Sequence, residues 1–121
     1  MPNSRSTLIK ALNSMLAQNV TVTEDTLIVD LYDGRTISVP LAWYPRLLYG
    51  SPQERNNWQL IGMGEGIHWP DLDEDLSVEG IVFGRASGES QRSFKRWLEA
   101  REGALKQPLP QVAEKKAKYG K

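Results

Sequence analysis

Apolar residues recur along this chain with two periods, and each change of period marks a part. Between residues 4 and 18, Leu8, Leu12 and Met15 follow helical spacing, and Ile9 and Leu16 widen the stripe. Ser4 or Ser6 suits the start of this helix and Asn19 its end. From residue 20 the period drops to two. "VTVT" (20–23) reads as a strand and "TLIVDLYDGRTISV" (26–39) as a β-hairpin. Two registers compete for the hairpin. A two-residue Asp33-Gly34 turn sets Leu31 against Thr36 and Val29 against Ser38, which mixes apolar and polar residues on both faces. A three-residue loop, Tyr32-Asp33-Gly34, pairs Leu31 with Arg35, Val29 with Ile37 and Leu27 with Val39. It gathers Leu27, Val29, Leu31, Ile37 and Val39 on one face, and it puts Gly34 at the left-handed position of a glycine bulge. The second register is the expected one.

Prolines, glycines and caps divide the chain beyond the hairpin. Pro40 ends the strand. Pro45 opens a short helix to Tyr49, stopped by Gly50. Ser51-Pro52-Gln53-Glu54 is a capping box with proline in the first turn, so a second short helix runs to Asn57. "WQLIG" (58–62) and "IHW" (67–69) read as short strands. An acidic turn comes next, and Ser77 caps a helix over Val78–Phe83 that Gly84 ends. "GRASGES" (84–90) is a linker by composition. Ser90–Leu105 is a helix with Phe94, Trp97, Leu98 and Leu105 on one stripe, and the residues after it have the composition of a disordered tail. The expected fold class is α+β: a small curved antiparallel sheet with short helices, plus N-terminal and C-terminal amphipathic helices. The expected parts are an N-terminal helix (1–19), an α+β core (20–84), a linker with a basic amphipathic helix (85–106) and a basic tail (107–121).

Composition narrows the function classes. A chain of 121 residues with 40% hydrophobic residues and four tryptophans has material for one real core. It has no cysteine, which excludes disulfides, thiolate metal sites and cysteine nucleophiles. No apolar run reaches signal-peptide or membrane-span length, so a cytoplasmic protein is expected. The net charge of zero hides an asymmetry. Residues 20–84 hold eleven acids against three bases, whereas residues 90–121 hold nine bases against three acids. Such a basic end either stays solvated or meets an acidic partner, nucleic acid or the core's own acidic face.

The one stretch that looks like a site is "GIHWPDLDEDLSVEGIVFG" (66–84). Asp71, Asp73 and Asp75 have the 1-3-5 spacing of a calcium loop, but Leu76 and Val82 stand where that loop needs glycine and glutamate. His68 is the only histidine, so a transition-metal site has no second imidazole. Acids before a helix also suit its positive end. Ser51 is explained by its capping role, and "GMGEG" lacks the lysine and long helix of a phosphate loop. No catalytic residue, metal or cofactor is expected. The basic helix, with Arg92, Lys95, Arg96 and Arg101 beside Phe94 and Trp97, suits a phosphate backbone or a protein partner.

"DGRTISVPLAWYPRL" followed by "SPQERNNWQLIGMGEGIHWPDLDEDLSVEGIVFG" resembles the domain-of-unknown-function family 2442 over residues 20–84. The resemblance implies a small α+β domain of bacterial type with no known catalytic activity, often encoded beside another short protein as in toxin–antitoxin pairs. The expectation drawn from it is a non-enzymatic, antitoxin-like or regulatory subunit that binds a partner protein. A nucleic-acid-associated protein using the basic helix, and an accessory subunit of a larger assembly, are the alternatives. Arg46, Arg55, Trp58, His68, Trp69, Asp71, Asp73 and Asp75 form the expected polar cluster. Arg46 or Arg55 is expected to pair with Asp71 or Asp73, making Asp71 matter for stability. Arg92, Lys95, Arg96, Trp97 and Arg101 form the second candidate contact.

Overall fold

The structure is a computed structural model that describes residues 15–106. Its frame is the hairpin. β2 (Thr26–Leu31) and β3 (Thr36–Pro40) pair antiparallel with Val29 opposite Ile37 and Leu27 opposite Val39. The Leu31 amide donates to the Arg35 carbonyl at 2.8 Å and the Gly34 amide to the Leu31 carbonyl at 3.0 Å. Gly34 has φ +95°, so the three-residue loop is the one adopted. Asp33 accepts the Arg35 amide (3.0 Å) and guanidinium (2.7 Å). The amide above all, with the guanidinium, holds the Asp33 carboxyl below the usual carboxylate range.

β1 (Ala17–Val22) adds to the other side of β2, giving the order β1-β2-β3. Its register shifts between Ala17 and Asn19, which leaves Gln18 as a bulge and buries both Ala17 and Val20. The expected N-terminal helix over 4–18 lies mostly outside the described residues. Where it is described, it is corrected: Met15 is in a turn, and Ala17 begins β1. Asn19 does not end a helix but pairs with Asp30. The bulge inserts one residue into the alternation, which hides the first half of the strand.

The single curved sheet is also corrected, because the strands form two sheets. β4 (Gln59–Ile61), β5 (Gly66–Trp69) and β6 (Glu74–Ser77) make a second antiparallel sheet in that order. The acidic turn expected after Trp69 therefore continues into a strand, with Ile67 opposite Leu76 and His68 opposite Asp75. Acids are depleted in strands, so Glu74 and Asp75 disguise it. As an edge, however, a charged strand discourages pairing with other chains. The sheets meet where the Ala17 amide donates to the Gly64 carbonyl at 2.8 Å, and the Val78 amide donates to the next carbonyl, Glu65, at 2.9 Å.

Short helices close the core. Leu41–Trp43 is a 3-10 turn, followed by α1 (Pro45–Leu48) and α2 (Pro52–Asn56). The capping box at α2 is complete: the Ser51 hydroxyl accepts the Glu54 amide, and the Glu54 carboxylate accepts the Ser51 amide. α3 (Val78–Val82) starts at Ser77, whose hydroxyl accepts the Gly80 amide at 2.9 Å. α3 packs against β3 and against β5 and β6, so its buried Val78 and Ile81 serve both sheets. Leu27, Val29, Leu31, Leu41, Leu47, Ile67, Trp69 and Leu72 fill the rest of the interior.

The residues after α3 stay with this unit through Ser87. The Ser87 amide donates to Trp43, and the buried Tyr44 hydroxyl donates to the Arg85 carbonyl at 3.2 Å. Burial, and then the Glu74 charge, push the Tyr44 phenol above its ordinary value. A raised folded value means the stabilising term is complete below the unfolded pKa near ~10 and is lost as pH rises through the folded one. Urea midpoints are accordingly expected to fall above pH ~10 in the native chain, and Tyr44→Phe to flatten that alkaline limb. From Gly88 the chain forms a second unit built on α4 (Gln91–Lys106), whose first turn is capped by the Ser90 hydroxyl accepting the Ser93 amide at 3.1 Å. The expected basic tail, 107–121, lies outside the described residues. Among the described residues no helix is long and apolar enough to cross a membrane.

Candidate functional site

The expected polar cluster is real in part, and its members serve the fold. The capping box orients α2 so that Arg55 turns inward, where it is only 9% exposed. Its Nε donates to the Leu47 carbonyl at 2.8 Å and an Nη to the Leu48 carbonyl at 2.6 Å. It thus closes the C-terminal end of α1, where a cation is favoured by the helix dipole. The Arg55 carbonyl in turn accepts Trp69 Nε1 at 2.9 Å. Arg55 therefore pairs with carbonyls, and of the two arginines expected to pair with Asp71 or Asp73 it is Arg46 that does so, with Asp73. Buried carbonyls at a helix end need a donor more than the exposed acids need a cation.

Arg46 does reach the turn, chiefly by its backbone. Its guanidinium donates to the Asp73 carbonyl at 3.0 Å and lies 3.5 Å from the Asp73 carboxylate, whose side chain is 89% exposed. Asp73 sits at φ +51°, so Arg46 clamps a left-handed residue. Asp71 pairs with no arginine among the described residues; its exposed carboxylate accepts from Asn57 at 2.9 Å. Trp58 is half-buried just before β4. Arg46→Met is accordingly expected to cost about 1–3 kcal/mol in urea unfolding, because carbonyls lose a charged donor. Asp73→Asn is expected to cost under about 0.5 kcal/mol, since exposed ion pairs contribute little.

His68 Nδ1 is hydrogen-bonded to the Asp75 carboxylate directly across β5 and β6, a cross-strand pair open to solvent. Among the described residues no His, Cys, Asp or Glu side chains group in a way that would hold a metal ion. Every buried side-chain nitrogen or oxygen among them has a hydrogen-bond partner. In α4, Arg92, Lys95 and Arg96 are exposed, Trp97 stacks on Phe94 with centroids 5.7 Å apart, and Arg101 lies 4.9 Å over the Trp97 ring.

The feature that sequence reasoning missed is apolar. A groove of about 550 Å³ is lined by Leu16, Tyr32, Leu60, Gly62 and Met63. Met63 is 78% exposed, Tyr32 59% and neighbouring Ile61 42%. Chain logic explains the exposure. Tyr32 is the first residue of the hairpin loop, and Met63 belongs to the β4–β5 turn, so neither has a sheet face to join. The Tyr32 amide donates to the Leu16 carbonyl at 3.0 Å, and this brings the residue just before β1 into the groove wall. A large apolar residue at two turn positions was the available signal.

Residues 17–87 match the model of the protein family of unknown function DUF2442. A crystal structure of a protein of unknown function from Rhodospirillum rubrum is 28% identical, with a TM-score of 0.54 over 63% of this chain and 94% of its own. A solution NMR structure of an uncharacterised protein from Chromobacterium violaceum is 17% identical, with a TM-score of 0.55 over 79% of this chain and 93% of its own. At that identity the second likeness concerns the fold alone. No curated protein matches the sequence.

Proposed function

The chain belongs to the DUF2442 family of proteins of unknown function, and we propose that it is a cytoplasmic, non-enzymatic protein-interaction module of antitoxin-like or regulatory type. The observation that carries this reading is the exposed apolar groove of Tyr32, Leu60 and Met63. Apolar surface gathered in one concave place marks contact sites more often than scattered apolar residues do. The polar residues of the acidic turn support it indirectly. Arg55, Trp69 and Arg46 are occupied with backbone carbonyls, and His68 with a single carboxylate. The partner is proposed to be a protein encoded by a neighbouring gene, offering an apolar segment to the groove.

Met63→Asp is expected to weaken retention of that partner by about tenfold or more, which is ~1.4 kcal/mol, and to leave the melting temperature of the free chain within ~2 °C. Binding isotherms and thermal melts on the same preparations check both halves. The exposed bases Arg92, Lys95 and Arg96 favour nucleic-acid binding as a second reading. In that case binding to DNA or RNA falls steeply with salt and is indifferent to Met63→Asp.

A further inference from the structure

We infer that the partner docks as an added β-strand. A short, extended, basic segment of it pairs with the open edge of β4 and lowers one apolar side chain into the groove. The inference rests on the groove being a docking surface and names what fills it. Its first support is the edge. Among the described residues, β4 has β5 on one side and no strand on the other. No backbone hydrogen bond among them, outside the β4–β5 pairing, reaches Gln59 or Leu60. Gln59 and Ile61 are exposed, and Leu60 is a wall of the groove. Unpaired amides and carbonyls thus run beside an apolar recess. An added strand uses both: backbone bonds hold it, and alternate side chains enter the pocket.

The other strand edges are guarded. β6 carries Glu74 and Asp75, β3 runs into Pro40, and β1 carries the Gln18 bulge. Charges, prolines and bulges are the devices that keep sheet edges from pairing. β4, Gln59-Leu60-Ile61, has none of them; it is three residues long, so the segment it takes is short as well. Charge selects a basic segment. Residues 20–84 hold eleven acids against three bases. The bases are engaged: Arg35 with Asp33, Arg46 with Asp73, and Arg55 with the Leu47 and Leu48 carbonyls. The exposed Glu65 carboxylate stands against Gly62 in the groove wall. This acid excess attracts lysine and arginine and opposes a second copy of the same unit at that edge.

The probe is the blocked peptide acetyl-Lys-Lys-Leu-Thr-Val-Lys-Lys-amide, titrated into the full native chain with amide chemical shifts as the readout. Two versions carry backbone N-methyl groups, one on leucine and valine, the other on threonine, because a strand turns alternate amides toward its neighbour. One version is expected to bind at least about tenfold more weakly than the parent, and the other to keep the parent's affinity. A peptide with glutamate in place of every lysine is expected to lose about tenfold or more as well. Equal affinity of the two methylated versions, equal binding of the acidic peptide, or no binding of the parent would overturn the inference. So would self-association of the free chain that the peptide disperses, since a second copy would then hold the edge. If only the methylated pair fails to differ while Met63→Asp still weakens the partner, the groove stands as the site and the added strand is lost as its mode.

Discussion

Gly64→Ala is expected to lower the melting temperature by roughly 12 °C or more, the largest effect of any single methyl in this fold. Gly64 has φ +109°, and a Cβ there would lie 2.4 Å from the Ala17 carbonyl oxygen and 2.9 Å from its nitrogen. Neither atom can swing away, because the Ala17 amide donates to the Gly64 carbonyl and Ala17 is paired with Leu31. Backbone strain of about 1–3 kcal/mol and overpacking of about 1–3 kcal/mol act together. A small domain has a total stability of only about 5–15 kcal/mol, so this is a large share. Gly34→Ala is the control. It has the same sign of φ, +95°, but nothing within 4 Å of the added methyl. If thermal melts of the two variants coincide, the two sheets do not meet closely at Ala17 and Gly64.

Trp69→Ala is expected to cost about 3–5 kcal/mol in urea unfolding, and Trp69→Phe about 1–3 kcal/mol. Trp69 is fully buried, so truncation leaves a cavity beneath the end of β5, the middle strand of the second sheet. Phenylalanine fills most of that space but leaves the Arg55 carbonyl without its 2.9 Å donor. The effect reaches beyond the ring, because Arg55 holds the end of α1 through Leu47 and Leu48. A Trp69→Phe variant as stable as the native chain would mean that the indole contributes only its volume.

These two effects arise in places of unequal legibility. Trp69 stands out as an apolar residue in a short strand, whereas Gly64 belongs to a run, "GMGEG", whose meaning depends on a distant segment. The hairpin register was legible because only one pairing keeps Leu27, Val29, Leu31, Ile37 and Val39 on one face. The caps at Ser51 and Ser77 were legible because capping is local. The bulge at Gln18 was not, since it breaks the period on which strand reading depends. Nor was β6, where one apolar residue stands among polar ones and the pairing comes from β5. For Arg46 the location was legible but not the atoms: charge suggests a carboxylate, while the fold supplies a carbonyl. The groove was least legible, because its walls come from the residue before β1, the hairpin loop, β4 and the β4–β5 turn, and none is unusual alone.

In the family-shared core, two features compete for the role of contact surface: the acidic turn that first looks like a site, and the apolar groove. Mapping amide chemical-shift changes in the full chain while the retained partner is added separates them most directly. The expected result is large changes at Tyr32, Leu60, Gly62 and Met63, with small ones along His68 and Asp71 to Asp75. Large changes along the acidic residues, with the groove unmoved, would contradict the assignment of the groove as the docking surface.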